Sequence, residues 1–102
     1  MSHWARRVDQ NQARIVEDLR RAGAAVQSIA AAGRGCGDLL VGWRGRLCVL
    51  EVKNPRQSKS RRALSPLERK WHLVWAEYVH IVTTTEGAYR AVGIMDCLEE
   101  RK

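Results

Sequence analysis

"DLLVGWRGRLCVLEVK", residues 38–53, reads as two apolar strands folded back on one another. Leu39 to Trp43 and Leu47 to Val52 carry the branched and aromatic residues that suit strands, and Arg44-Gly45 between them fits a tight hairpin turn. The two ends of the stretch do not fit this pattern. Asp38 stands at the mouth of the first strand, and Glu51-Val52-Lys53 closes the second. A reversal at Arg44-Gly45 sets Asp38 opposite Glu51. Side chains alternate along a strand, so Leu47, Val49, Glu51 and Lys53 share one side. Two carboxylates placed side by side on adjacent strands repel each other, unless a cation joins them. Carboxylates, a backbone carbonyl and water are hard oxygen ligands that suit magnesium or manganese rather than zinc. Lys53 then stands beside the ion, where an ammonium can orient a water or neutralise charge developing on a phosphate. The same spacing also fits a structural ion pair of Lys53 with Asp38 and Glu51.

Upstream, Asp9 and Gln12 have capping-box spacing, and Gln12, Ile15, Val16 and Leu19 fall on one helical face. Gly23 ends this helix, a short strand is expected from about Ala25 to Ala30, and "AGRGCG", residues 32–37, is a glycine-rich turn. Downstream, a loop containing Pro55 leads into "LSPLERKWHLVWAEY". There Ser65 is the helix cap, Pro66 takes the first helical position and Glu68 completes a capping box. Trp71, Val74, Trp75 and Tyr78 follow helical spacing and are expected to be the buried face. "VHIVTTT", residues 79–85, reads as a strand, and a closing helix is expected from Glu86, weakened by Gly87 and Gly93. The order is helix, three strands, helix, strand, helix. It predicts one α/β domain over residues 1–102, with a mixed central sheet of about four strands flanked by helices.

Composition narrows the function classes. The net charge is +7, and from Lys53 to Lys70 seven basic residues face the single acid Glu68, so nearly the whole excess lies in one segment. Such a block is the electrostatic footprint of a polyanion-binding surface, or a solvated loop. No basic amphipathic helix accompanies it to suggest a membrane surface. No apolar run approaches the ~18 residues of a membrane helix, and "MSHWARRVDQ" lacks the apolar stretch of a secretion signal, so a cytoplasmic address is expected. Cys36, Cys48 and Cys97 cannot all pair internally and have no Cys-x-x-Cys spacing, which argues against a disulfide scaffold or zinc site.

"GCGDLLVG", "VLEVK" and "LSPLERKWH", in that order and spacing over roughly residues 8 to 94, resemble the VRR-NUC branch of the PD-(D/E)XK nuclease superfamily. The resemblance implies a restriction-endonuclease-like core. Asp38, Glu51 and the Val52 carbonyl would hold Mg²⁺ or Mn²⁺, and Lys53 would position a water for in-line attack on a phosphodiester. Members of this branch often carry an acid or amide on the first helix. Gln12 is the candidate here, although it serves equally as the capping partner of Asp9, while Glu17 falls on the solvent side. Arg56, Lys59, Arg61 and Arg62 would clamp the DNA backbone, and Trp43 with Arg44 would contact nucleic acid or a second subunit. Branched DNA such as a Holliday junction is the implied substrate, a homodimer the implied assembly, and no small-molecule cofactor is implied. Gly37 stands where the family usually has proline, which is expected to loosen the turn before Asp38. Glu68 is read as a cap and His72 as a helix-surface or supporting residue. Two rival readings remain: a nuclease-fold module that binds branched DNA without cutting, and a small basic DNA-coating protein.

Overall fold

The computed structural model describes residues 3–57 and 63–94, with side chains from Gln10 onward. Helix α1 (His3–Arg21) leads into strand β1 (Ala25–Ser28) and a short 3-10 turn at Ala30–Ala32. The hairpin β2 (Leu39–Trp43) and β3 (Arg46–Val52) follows, then α2 (Pro66–Val74), β4 (Val79–Val82) and α3 (Thr85–Val92). Among the described residues this is an α/β arrangement of three helices and one four-stranded mixed sheet, ordered β1-β2-β3-β4. β1, β2 and β3 pair antiparallel, and β4 joins β3 in parallel through the α2 crossover. No helix among the described residues is long and apolar enough to cross a membrane.

The hairpin has the expected register. Leu39 pairs with Leu50 and Trp43 with Arg46, which sets Asp38 opposite Glu51 just past the last paired residue of β2. Arg44 and Gly45 both have positive φ, 47° and 81°, as a two-residue turn matching the twist of its strands requires. One sheet face carries Leu39, Val41, Leu50, Val52 and Val82, packed with Ile15 and Leu19 of α1 and Ala88 and Val92 of α3. α1 and α3 are also tied together by hydrogen bonds: the Thr85 hydroxyl donates to Asp18 Oδ2 at 2.6 Å and the Tyr89 hydroxyl to the Asp18 carbonyl at 3.0 Å. The opposite face carries Val49, Glu51 and Lys53 and is crossed by α2.

Three expectations need correcting. α1 begins at His3 rather than at Asp9, because no glycine or proline in residues 3–8 stops the helix from propagating back past Asp9. β4 ends at Val82: Thr84 instead caps α3, its hydroxyl accepting from the Gly87 N–H at 3.0 Å. α2 starts as expected, with a complete Ser65–Glu68 capping box and Pro66 in its first turn, but it has no buried residue. Val74, Trp75 and Tyr78 are 79%, 42% and 52% exposed, and Trp71 is half-buried. Trp71 stacks on Trp75 at 5.4 Å between centroids, and Tyr78 meets Trp75 edge-on at 6.0 Å. These aromatics pack on one another along the surface instead of entering the core.

Candidate functional site

Asp38, Glu51 and Lys53 meet where the hairpin opens. The Asp38 N–H donates to the Leu50 carbonyl at 2.9 Å, and its Oδ2 accepts from the Val52 N–H at 2.7 Å. A side chain thus continues the ladder of β2 and β3 by one step, which fixes the Asp38 carboxylate beside Glu51. Val52 itself belongs to the core; its part in the site seen here is the N–H that holds Asp38.

Glu51 is 3% exposed, the one buried charged side chain among the described residues. Burial comes first among the causes that push its carboxyl up to about 8; the charge of Asp38 and a hydrogen bond to it add to the shift, Glu68 contributes further, and Lys53 opposes. Burial beside a second acid therefore favours the protonated form of Glu51 near neutral pH. His72 Nε2 lies 3.4 Å from Glu51 Oε1. Burial holds the His72 imidazole below its usual range, with Lys53 acting in the same direction and Glu68 and Asp38 opposing. With Glu51 raised and His72 lowered, their contact is a long hydrogen bond rather than an ion pair, and the tautomer of the ring sets which side donates.

Lys53 is anchored at both ends. Its N–H donates to the Val82 carbonyl at 2.9 Å, and its carbonyl accepts from Asn11 Nδ2 at 3.1 Å. Asn11 also donates to the Thr83 carbonyl at 3.2 Å, joining the ends of β3 and β4. The Lys53 ammonium sits 3.6 Å from Glu51 Oε2 and 3.3 Å from Glu68 Oε2. Burial alone would raise the Glu68 carboxyl, but the Ser65 hydrogen bonds and the Lys53 charge outweigh it and keep Glu68 below the usual range.

Two glycines bring these pieces into contact. A Cβ on Gly35, where φ is +80°, would lie 2.5 Å from the Leu67 carbonyl carbon, so only glycine lets this loop rest on the start of α2. At Gly37 a Cβ would lie 2.5 Å from Val49 Cγ1. Val49 therefore packs directly on Gly37 and leaves no room there for a side chain. Gly37→Ala is expected to cost about 1–3 kcal/mol, and Val49→Ala in the same chain should recover part of that by making room. Urea denaturation of both single variants and the double variant measures the coupling; strictly additive losses would contradict the contact.

The remaining expected residues lie apart from this cluster. Gln12 lines a shallow groove with Ala13, Val16 and Glu17 that includes none of Asp38, Glu51 or Lys53. Its neighbour Asn11 is the α1 side chain that reaches the end of β3. Glu17 faces solvent and pairs with Arg21 at 2.6 Å. Trp43 packs partly against the core with Arg44 over its ring at 4.7 Å, about 16 Å along the strand from Asp38. Arg56 is exposed in a turn where Asn54 Oδ1 accepts its N–H, while Lys59, Arg61 and Arg62 fall outside the described residues. Cys36 and Cys48 are free thiols, and the Cys36 thiol donates to the Ile29 carbonyl; Cys97 is outside the described residues. Glu68 caps α2 as expected, and what the sequence reading missed is its contact with Lys53 and that of His72 with Glu51. The i, i+4 spacing of Glu68 and His72 already placed them on one stripe of α2.

Among the described residues, no three of His, Cys, Asp and Glu converge as a ready-made metal cage. Two carboxylates completed by a carbonyl and waters remain a fitting donor set for magnesium, which keeps much of its hydration. The feature that fits a cation is buried Glu51 beside half-buried Asp38, two carboxylates that a divalent ion would satisfy together. No protein-family model, curated protein or solved structure matches the chain.

Proposed function

We propose that the protein is a Mg²⁺-dependent endodeoxyribonuclease of the PD-(D/E)XK type, similar to the VRR-NUC branch, acting on branched DNA. The observation that carries this reading is the convergence of Asp38, buried Glu51 and Lys53 at one end of the β2–β3 hairpin. Asp38, Glu51 and the Val52 carbonyl are the proposed ligands, and the bound ion supplies Lewis acidity and a water of lowered pKa.

The chain's own groups do the rest. Asp38 is held by the Val52 N–H, so its carboxylate is oriented before any ligand arrives. Glu51 would have to be ionised to hold the ion, so binding is expected to be tighter at higher pH. Lys53, fixed along its backbone and with its side chain 12% exposed, supplies a positive charge beside the reacting phosphate. Arg56, and Lys59, Arg61 and Arg62 of the adjoining segment, supply backbone affinity that weakens steeply with salt. The uncovered apolar side of α2 supports a homodimer, whose two sites could address two strands of a junction. The test is cleavage of a four-way junction and of a linear duplex, each with Mg²⁺ and with chelator. Junction-selective, chelator-sensitive cutting is expected. Binding without cutting would favour an inactive DNA-binding module, and equal coating of both substrates would favour a general DNA-binding protein.

A further inference from the structure

We propose that Glu68 is the positioning residue for Lys53: one carboxylate that fixes the start of α2 with one oxygen and aims the lysine ammonium with the other. The inference rests on the nuclease reading for its catalytic consequence, but its geometry is independent of that reading. Glu68 Oε1 accepts from the Ser65 N–H at 2.9 Å, while Oε2 faces Lys53 Nζ at 3.3 Å. The capping bond removes the rotation that would let the carboxylate turn away from the lysine. Glu68 N–H in turn donates to Ser65 Oγ at 3.2 Å, so the first turn of α2 and the carboxylate form one unit.

That unit is referenced to the rest of the site through Gly35, whose close approach to the backbone of Leu67 and Glu68 seats α2 on the loop leading to Asp38. The loop, the helix start, Glu68 and Lys53 therefore form a continuous set of contacts that returns to the acid pair. The other carboxylate near the ammonium is Glu51, at 3.6 Å. Glu51 is a proposed ligand, so its charge is committed once an ion is bound, and Glu68 is then the acid left to hold Lys53. A hydrogen bond between two charged groups is about twice as strong as a neutral one, so Glu68→Gln keeps the shape and the capping acceptor but weakens the hold on the amine.

The test compares wild type, Glu68→Gln and Ser65→Ala. Each is labelled at lysines with an acylating reagent, Lys53 modification is followed by peptide mass spectrometry, and junction cleavage is measured in parallel. Glu68→Gln is expected to label Lys53 about fivefold faster and to lose about tenfold in kcat with little change in KM for DNA. Ser65→Ala is expected to melt at lower temperature with labelling and kcat unchanged, because the Ser65 N–H still holds Glu68. Unchanged labelling in Glu68→Gln, or a Ser65→Ala variant that behaves like it, would overturn the proposal by showing that Glu68 serves only the helix. If wild type cuts no DNA while the labelling contrast holds, the positioning role stands and the nuclease reading fails.

Discussion

Glu51→Gln is expected to stabilise the cation-free protein at pH 8 and to abolish metal-dependent cleavage. Glu51 is buried beside Asp38 and its carboxyl is raised from 4.5 to about 8, so the folded state binds this proton more tightly than the unfolded chain does. The associated stability is fully present below pH 4.5 and is lost as pH rises through about 8. Each pKa unit corresponds to about 1.4 kcal/mol, so the loss across this window is on the order of a few kcal/mol for a strongly interacting pair. Glutamine keeps the shape, does not titrate, and offers Asp38 an N–H where the ionised acid offers only repulsion. Denaturation in chelator from pH 5 to pH 9 should therefore show wild type losing stability relative to Glu51→Gln as pH rises. Parallel curves for the two proteins would show that Glu51 is not held as described. Added Mg²⁺ should flatten the wild-type curve, because an ion binding only the folded state adds stability by mass action.

Lys53→Met is expected to lower single-turnover cleavage by about 10²–10³-fold while leaving junction affinity within a few-fold. Methionine keeps most of the lysine stem and fits a position whose side chain is 12% exposed, so the fold should be retained. Under the proposed reading the charge is lost next to the reacting group, whereas the basic segment after β3 would supply the salt-dependent DNA affinity. Rate and binding should therefore separate. A variant that cuts at the wild-type rate would remove Lys53 from the chemistry and leave it as the ion-pair partner of Glu51 and Glu68.

The hairpin and its register were legible in the sequence because strand alternation and a two-residue turn leave few alternatives once the turn is placed. That register carried Asp38 and Glu51 to the same place. The Ser65-Pro66-Glu68 signature located the start of α2 for the same reason: capping chemistry is local. Burial of α2 was not legible. Periodicity shows that Trp71, Val74 and Trp75 lie on the same side of a helix, but not whether another layer covers them. On α1 the reading fell one residue off: Gln12 follows the Val16 row, whereas Asn11 follows Ile15 and Leu19, the two residues that are buried. A step of one residue turns a helix by about 100°, enough to exchange the side chain that reaches β3 for one that lines an outer groove. Glu68 was read as a cap and His72 as a helix-surface or supporting residue, without their partners, because Lys53 and Glu51 lie at the end of β3, whose distance from α2 only the crossover connection sets.

Anomalous diffraction from crystals soaked in Mn²⁺ tests the central claim most directly. The account predicts a manganese peak at the open end of the hairpin, touched by oxygens of both Asp38 and Glu51, with Lys53 beside it. A fully soaked crystal with no peak there, or with the two carboxylates bound to separate ions, would contradict it.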